Sequence, residues 1–156
     1  MKKSEKIAAL ALADLGVSVK LKARLLLIRE GRILLLKQTK PNGGKYTLIG
    51  GTVEEFELVK ESLVREVKEE AGIDIKKSQL RLVHTLYKKK RLGGRIVLYF
   101  ECQHFTGKPK NMEPKKFKSV SWHDLGELPS PMSPTVKHVL KKYNEDVPYS
   151  EIDWRK

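Results

Sequence analysis

GGTVEEFELVKESLVREVKEEAGI, residues 50–73, packs Glu66, Glu69 and Glu70 into one helical turn of a chain whose formal net charge is +13. Place this stretch on a helical wheel at ~100° per residue with Glu66 at zero. Val59, Leu63 and Val67 then fall at roughly 20°, 60° and 100° and mark the buried stripe. Glu70 falls at roughly 40°, inside that stripe, and Glu66 and Glu69 flank it. A solvated charge run would lie opposite the apolar residues, and Lys60, Glu61, Arg65 and Lys68 occupy the more outward face instead. Like charges at i, i+3 and i+4 repel, and acids at a partly buried edge need a partner. Either arginines and lysines neutralise them or they bind a cation. Carboxylates converging on one side of a helix are hard oxygen ligands of the kind that suit Mg²⁺ or Mn²⁺.

The rest of the chain reads as one α+β domain. Its 156 residues suffice for a sizeable core, and 40% hydrophobic with 33% charged residues is a globular composition. Val17, Val19, Leu21 and Ala23 alternate with polar residues, which is a strand period. "EGR" (30–32) turns into "ILLLK" (33–37), and "QTKPNGGK" (38–45) is a loop. "YTLIGG" (46–51) is a short strand ending in two glycines. The helix is expected over about 57–71, with Gly72 as C-cap. "QLRLVHTLY" and "RIVLYFECQHF" form a strand pair, "FKSVSW" (117–122) a further strand, and "SPTVKHVLKKY" (133–143) a second helix that starts at Ser133 and Pro134.

No apolar run approaches the ~20 residues that span a bilayer. Residues 1–16 are expected as an amphipathic N-terminal helix rather than a signal peptide, because Asp14 interrupts a short apolar stretch. The single cysteine, Cys102, sits in an apolar strand pattern and reads as a buried thiol, which suits a reducing, cytoplasmic setting. Lysines at 87–91, 108–118 and both ends serve either solubility or attraction of polyanions, and charge alone does not choose between them.

Gly51, five residues, Glu57, seven residues, then Arg65-Glu66-Val67-Lys68-Glu69-Glu70-Ala71-Gly72-Ile73 resembles the Nudix box at every defining position. The wider likeness to MutT-like Nudix hydrolases runs from about Val17 to Tyr143. Residues 1–16 and 144–156 are expected outside the domain, as a helical extension and a C-terminal tail.

The resemblance implies the Nudix fold, a mixed-sheet α/β/α sandwich that carries the box as loop-helix-loop. It implies Mg²⁺- or Mn²⁺-dependent hydrolysis of a nucleoside diphosphate linked to another group. By motif position Glu66, Glu69 and Glu70 are the expected metal-binding acids. Gly51 would complete the metal site through its carbonyl, and Glu57 and Arg65 would be the ion pair bracing loop against helix. Glu66 is the first expected general base and Glu113 the second.

Three departures stand out. Ile49 replaces a common proline before Gly50-Gly51. Phe56 and Leu58 flank Glu57, so the usual helix cap is missing and Glu57 is expected to cap the helix. Lys118 stands where relatives often carry a further acid, and it cannot ligate magnesium or act as a base while charged.

Arg24, Lys37 and Tyr46 are further candidates for substrate contact, the tyrosine by stacking on a base. The expected partner is a small nucleotide, a nucleoside triphosphate or a nucleotide sugar such as ADP-ribose, with no membrane contact and a homodimer left open. An RNA 5′-end pyrophosphohydrolase is the alternative favoured by the basic charge. A catalytically silent nucleotide-binding module is the alternative from another class, and the intact acids count against it.

Overall fold

The structure is a computed structural model that describes residues 2–4 and 16–155. The helix expected over residues 1–16 therefore falls almost wholly outside the described residues. From there the chain runs β1 (Val19–Arg29), β2 (Arg32–Gln38), β3 (Tyr46–Thr47), β4 (Ile49–Thr52), α1 (Val59–Ala71), β5 (Arg81–Lys89), β6 (Gly94–Cys102), β7 (Phe117–Asp124), α2 (Pro134–Asn144) and β8 (Tyr149–Asp153).

The strands form one mixed sheet in the order β3-β2-β1-β6-β5-β8, with β4 paired to β1 and β7 to β2. β1 runs parallel to β6 and β5 parallel to β8, while the other pairings are antiparallel. Glu30 and Gly31 both take positive φ, 52° and 73°, which gives the β1–β2 hairpin a turn whose twist matches its strands.

Helices cover both faces. Leu63, Val67 and Ala71 of α1 pack with Ala23, Leu25 and Leu27 on one face. Val136, Val139 and Leu140 of α2 pack with Leu26, Ile28 and Leu35 on the other. This explains why the alternation of early β1 gives way to an unbroken apolar run. Leu25, Leu26 and Leu27 are all 0% exposed, as in a strand buried on both sides.

Three features differ from the sequence reading, the first being that the single strand expected over 46–51 divides into β3, paired with β2, and β4, paired with β1. α1 begins at Val59, two residues late, and Glu57 does not cap it. The Leu58 amide instead donates to Glu61 Oε2 at 3.1 Å, so the acid three residues inside the helix closes its end. The third difference is β8. Residues 144–156 were expected as a tail, yet Tyr149–Asp153 adds a parallel edge strand to β5. Buried His84 fastens it, with Nδ1 2.7 Å from Val147 O and Nε2 2.7 Å from Ser150 Oγ.

β4 lies unusually close to β1. Gly50 has φ 136°, and a Cβ on it would overlap the Ala23 carbonyl and come within 2.9 Å of Arg24 Cα, both backbone atoms. Nothing but glycine fits without parting the strands. Gly50→Ala is expected to cost about 3 kcal/mol or more of folding stability in urea unfolding. An unchanged midpoint would mean that β4 can pull back from β1 at no cost.

Candidate active site

The Gly50–Gly51 segment, the inner face of α1 and the start of β1 enclose a cavity of about 330 Å³. Glu66 and Glu70 line it from α1, Gly50 and Gly51 from β4, and Lys22 and Arg24 from β1.

Glu70 holds the centre. It is 1% exposed, and its Oε1 accepts the Gly50 N–H at 2.8 Å. Burial pushes its carboxyl up to about 7, against partial relief from the Gly50 amide and the Arg24 charge. Arg24 grips the same loop through its Nη1, which donates to Leu48 O at 3.1 Å and to Gly50 O at 2.9 Å. The glycine loop is thus held by a carboxylate on its amide and a guanidinium on its carbonyl.

Glu66 lies against the neighbouring residue. A Cβ on Gly51 would come within 2.7 Å of the Glu66 carboxyl carbon, so the absent side chain is what admits this acid.

Arg65 gathers the remaining acids. Its Nε and Nη2 donate to Glu57 Oε2 and Oε1 at 3.0 and 2.8 Å, a two-pronged pair. Its Nη1 reaches Glu66 Oε1 and Glu69 Oε2, each at 3.2 Å. The Arg65 hydrogen bonds, with the Glu54 amide next, hold the Glu57 carboxyl down at about 2. Glu57 also accepts that amide at 2.7 Å, so the pair ties the loop before α1 to the second turn of the helix.

The other sequence candidates divide. Arg24 lines the cavity, whereas Lys37 and Tyr46 do not. Lys37 Nζ stands 4.4 Å over the Tyr46 ring, and that ring also meets His123 edge-on at 5.1 Å. Glu113 lines an adjoining depression with Asn42 and Met112, 3.5 Å from Lys116 Nζ. Glu69 does not line the cavity and accepts from Arg65. Lys118 is exposed, where a bulge between Lys37 and Gln38 disturbs the β2–β7 ladder, and it is Lys116 that reaches the cavity. Among the cavity residues missed in the sequence are Lys22, Gln38, Asn42, Glu54 and Lys116. Only Lys22 left a signal there, through its shared strand face with Arg24. Cys102 is buried with its thiol pushed up by desolvation, which suits a packed side chain and not a nucleophile.

The donor chemistry fits a hard divalent cation: two carboxylates converge beside a glycine whose missing Cβ leaves room. Among the described residues, no three acid, histidine or cysteine side chains are grouped to hold a metal as they stand. Arg65 Nη1 instead bridges Glu66 and Glu69, 3.2 Å from an oxygen of each.

The family model for the NUDIX domain matches residues 20–143. A Nudix hydrolase of Bacillus subtilis, YvcI, is 33% identical over 117 residues, covering 71% of this chain and 70% of its own. The NAD-capped RNA hydrolase NudC of Photorhabdus laumondii is 29% identical, and there the match covers 76% of this chain but only 43% of that longer protein. Among solved structures, a MutT NUDIX hydrolase of Burkholderia pseudomallei superposes with a TM-score of 0.72 at 26% identity, over 80% of this chain and 97% of its own. The chain therefore belongs to the Nudix hydrolase family, whose members cleave pyrophosphate bonds.

Buried Glu70 sets a pH dependence. Its folded-state value of about 7 lies above the ordinary 4.5, so the fold binds this proton more tightly than the unfolded chain. No penalty arises below pH 4.5, and stability falls as pH rises through 7, by about 3 kcal/mol from this group. In EDTA, Glu70→Gln is expected to match wild type near pH 4.5 and to exceed it at pH 8 in denaturant unfolding. A variant weaker than wild type at pH 8 would mean that the carboxylate is stabilised where it sits.

Proposed function

We propose that the chain is a divalent-cation-dependent pyrophosphohydrolase of small nucleotide derivatives. It would cleave the phosphoanhydride of a nucleoside diphosphate linked to another group, as in a nucleoside triphosphate or a nucleotide sugar. The observation that carries this reading is the convergence of Glu66 and Glu70 on the Gly50–Gly51 loop, in a cavity bordered by Lys22, Arg24 and Lys116.

The residues divide the work as follows. Mg²⁺ or Mn²⁺, held by Glu66 and Glu70 with Glu69 as a third acid and Gly51 alongside, would neutralise diphosphate oxygens and acidify a water. Lys22, Arg24 and Lys116 draw the anionic substrate to the acids, which would otherwise repel it. Glu66 accepts the proton of the attacking water at a carboxylate oxygen. Its position beside Gly51 favours it over Glu113, which lines the adjoining depression. Arg65 stabilises the Glu66 carboxylate and, through Glu57, keeps loop and helix in register.

A second reading has its own support. The NudC relatives act on NAD-capped RNA, and this chain carries +13. In that case the diphosphate would sit at the end of an RNA chain.

Two measurements test these readings. With saturating Mg²⁺, Glu70→Gln is expected to lower kcat at least ~100-fold while remaining folded, whereas Glu113→Gln changes it less than about threefold. Near-normal turnover by Glu70→Gln would remove the acid pair from the chemistry, and a collapse in Glu113→Gln would move the base to the loop.

The second measurement follows kcat/KM against salt for free nucleotides and for a short RNA with a diphosphate-linked 5′ end. A small substrate engages few protein cations and is expected to show a shallow slope. An RNA held along its backbone would lose ~10³-fold between low and moderate salt. If the RNA is much the better substrate and shows that loss, the RNA-end reading replaces the small-nucleotide one.

A further inference from the structure

The cavity does not end at Arg24. A second space of about 190 Å³ continues from it and shares Lys22, Arg24, Gln38 and Thr47 with the first. Its far wall comprises Lys88, Arg95, Tyr99, Thr135 and Trp154. The two spaces make one groove with opposite ends. Glu66 and Glu70 line one end, and four cations with no carboxylate line the other.

The sheet builds the basic end on purpose of register. Arg95 of β6 stands opposite Lys20 of β1 and Lys88 of β5, and Val97, two residues on, stands opposite Lys22. Side chains two apart share a face, so Lys22, Arg24, Lys88 and Arg95 all project on the side that α2 covers. α2 starts only at Pro134, and its first turn, Thr135 and Val136, closes the groove.

None of the four cations has an acidic partner within ion-pair distance among the described residues. Lys88 is only 3% exposed; its Nζ donates to Thr135 Oγ1 at 2.8 Å and lies 3.3 Å over the Trp154 ring. Arg95 Nε is buried and has no acceptor among the described residues. Burial and the neighbouring cations lower both Lys22 and Lys88 to about 8. Arg24 also holds the glycine loop, and Lys88 bonds Thr135, but those contacts leave the mutual repulsion of four clustered cations without a counter-charge, which costs stability.

We infer that the basic end of the groove is a phosphate-binding subsite that takes a second phosphate group of the substrate, apart from the diphosphate at the acidic end. This deepens the hydrolase reading and rests on it for the substrate's identity. The chemistry selects phosphate. A tetrahedral dianion can engage several cations at once and satisfy Arg95 Nε. The start of α2, where Thr135 and Val136 line the groove, favours the same charge through the helix dipole. The Trp154 face is already occupied by Lys88, so a stacked base is not the fitting occupant. The substrate class is therefore a nucleoside diphosphate derivative with a further phosphate, either on a sugar or along a longer polyphosphate bridge.

The first test is a calorimetric titration of the full chain with inorganic phosphate in EDTA, which leaves the metal end out of the reaction. Wild type is expected to bind one phosphate, and Lys88→Met and Lys22→Met each to weaken binding at least tenfold, with exposed Lys76→Met as an unaffected control. Without phosphate, the two groove variants should melt about 2–5 °C higher than wild type, since a repelling charge is gone. A merely structural lysine would lower the melting point instead. Equal phosphate affinity in wild type and both groove variants would overturn the subsite.

The second test compares kcat/KM within substrate pairs that differ by phosphate content: NADPH and NADH, and diadenosine pentaphosphate and triphosphate. Wild type should prefer the richer member of at least one pair by tenfold or more, and Lys88→Met should erase that preference. Cleavage of both members at equal rates in every pair would overturn the assignment to substrate. Failure of the hydrolase reading has a different signature. Wild type would then cleave no nucleotide with Mg²⁺, while the phosphate titration would still decide whether the subsite exists.

Discussion

A carboxylate shut away from water, Glu70, accepting the Gly50 amide at 2.8 Å, is the contact on which the site depends. It joins the last turn of α1 to β4 at the point where β4 touches β1. Arg24 meets the same peptide segment from β1, through the Leu48 and Gly50 carbonyls. The loop therefore has little freedom: its amide is claimed by an anion and its carbonyls by a cation. Gly50 tolerates this position because it lacks a Cβ, and Gly51 lets Glu66 approach for the same reason. A charge with a raised proton affinity in a water-poor pocket is costly in the resting protein. That cost fits a group placed for a cation and not for the fold.

Much of this was legible in the sequence because the period of α1 is simple. Glu70 falls within the stripe marked by Val59, Leu63 and Val67, and it is buried with Leu63 and Val67. The two helices and most strands follow equally from local patterns, but the single strand expected over 46–51 divides into β3, paired with β2, and β4, paired with β1. What stayed hidden depends on pairing between distant segments. β8 is five residues whose partner, β5, lies some sixty positions earlier, and its residues alternate between exposed and half-buried. Lys118 looked like the residue that replaces an acid, but a bulge in the β2–β7 ladder changes which side chain faces inward, and Lys116 does so. The alternation at Lys20, Lys22 and Arg24 gave a strand period and, at Arg24, a candidate substrate contact. The same face is apolar under α2 from Leu26 onward, so the cations line the uncovered stretch of it.

The acids on the opposite face of the loop are not equivalent either. Arg65 binds Glu57 by two short, parallel hydrogen bonds and reaches Glu66 and Glu69 by one nitrogen at 3.2 Å each. The geometry ranks these contacts: the bidentate pair braces the loop, and the shared nitrogen is the weaker hold. Glu66 and Glu69 can therefore turn toward a cation without loosening the brace. The +13 charge of the chain acts in the same direction. Two adjacent carboxylates would repel a diphosphate, but they sit in a groove bordered by Lys22, Arg24 and Lys116, whose field favours an anionic ligand before any contact is made. The two ends differ in charge, since carboxylates and cations mix at one and only cations line the other. In the proposed arrangement, a ligand held by a cation at Glu66 and Glu70 would extend its further phosphate toward Lys88 and Arg95, where cations line the groove and no carboxylate does.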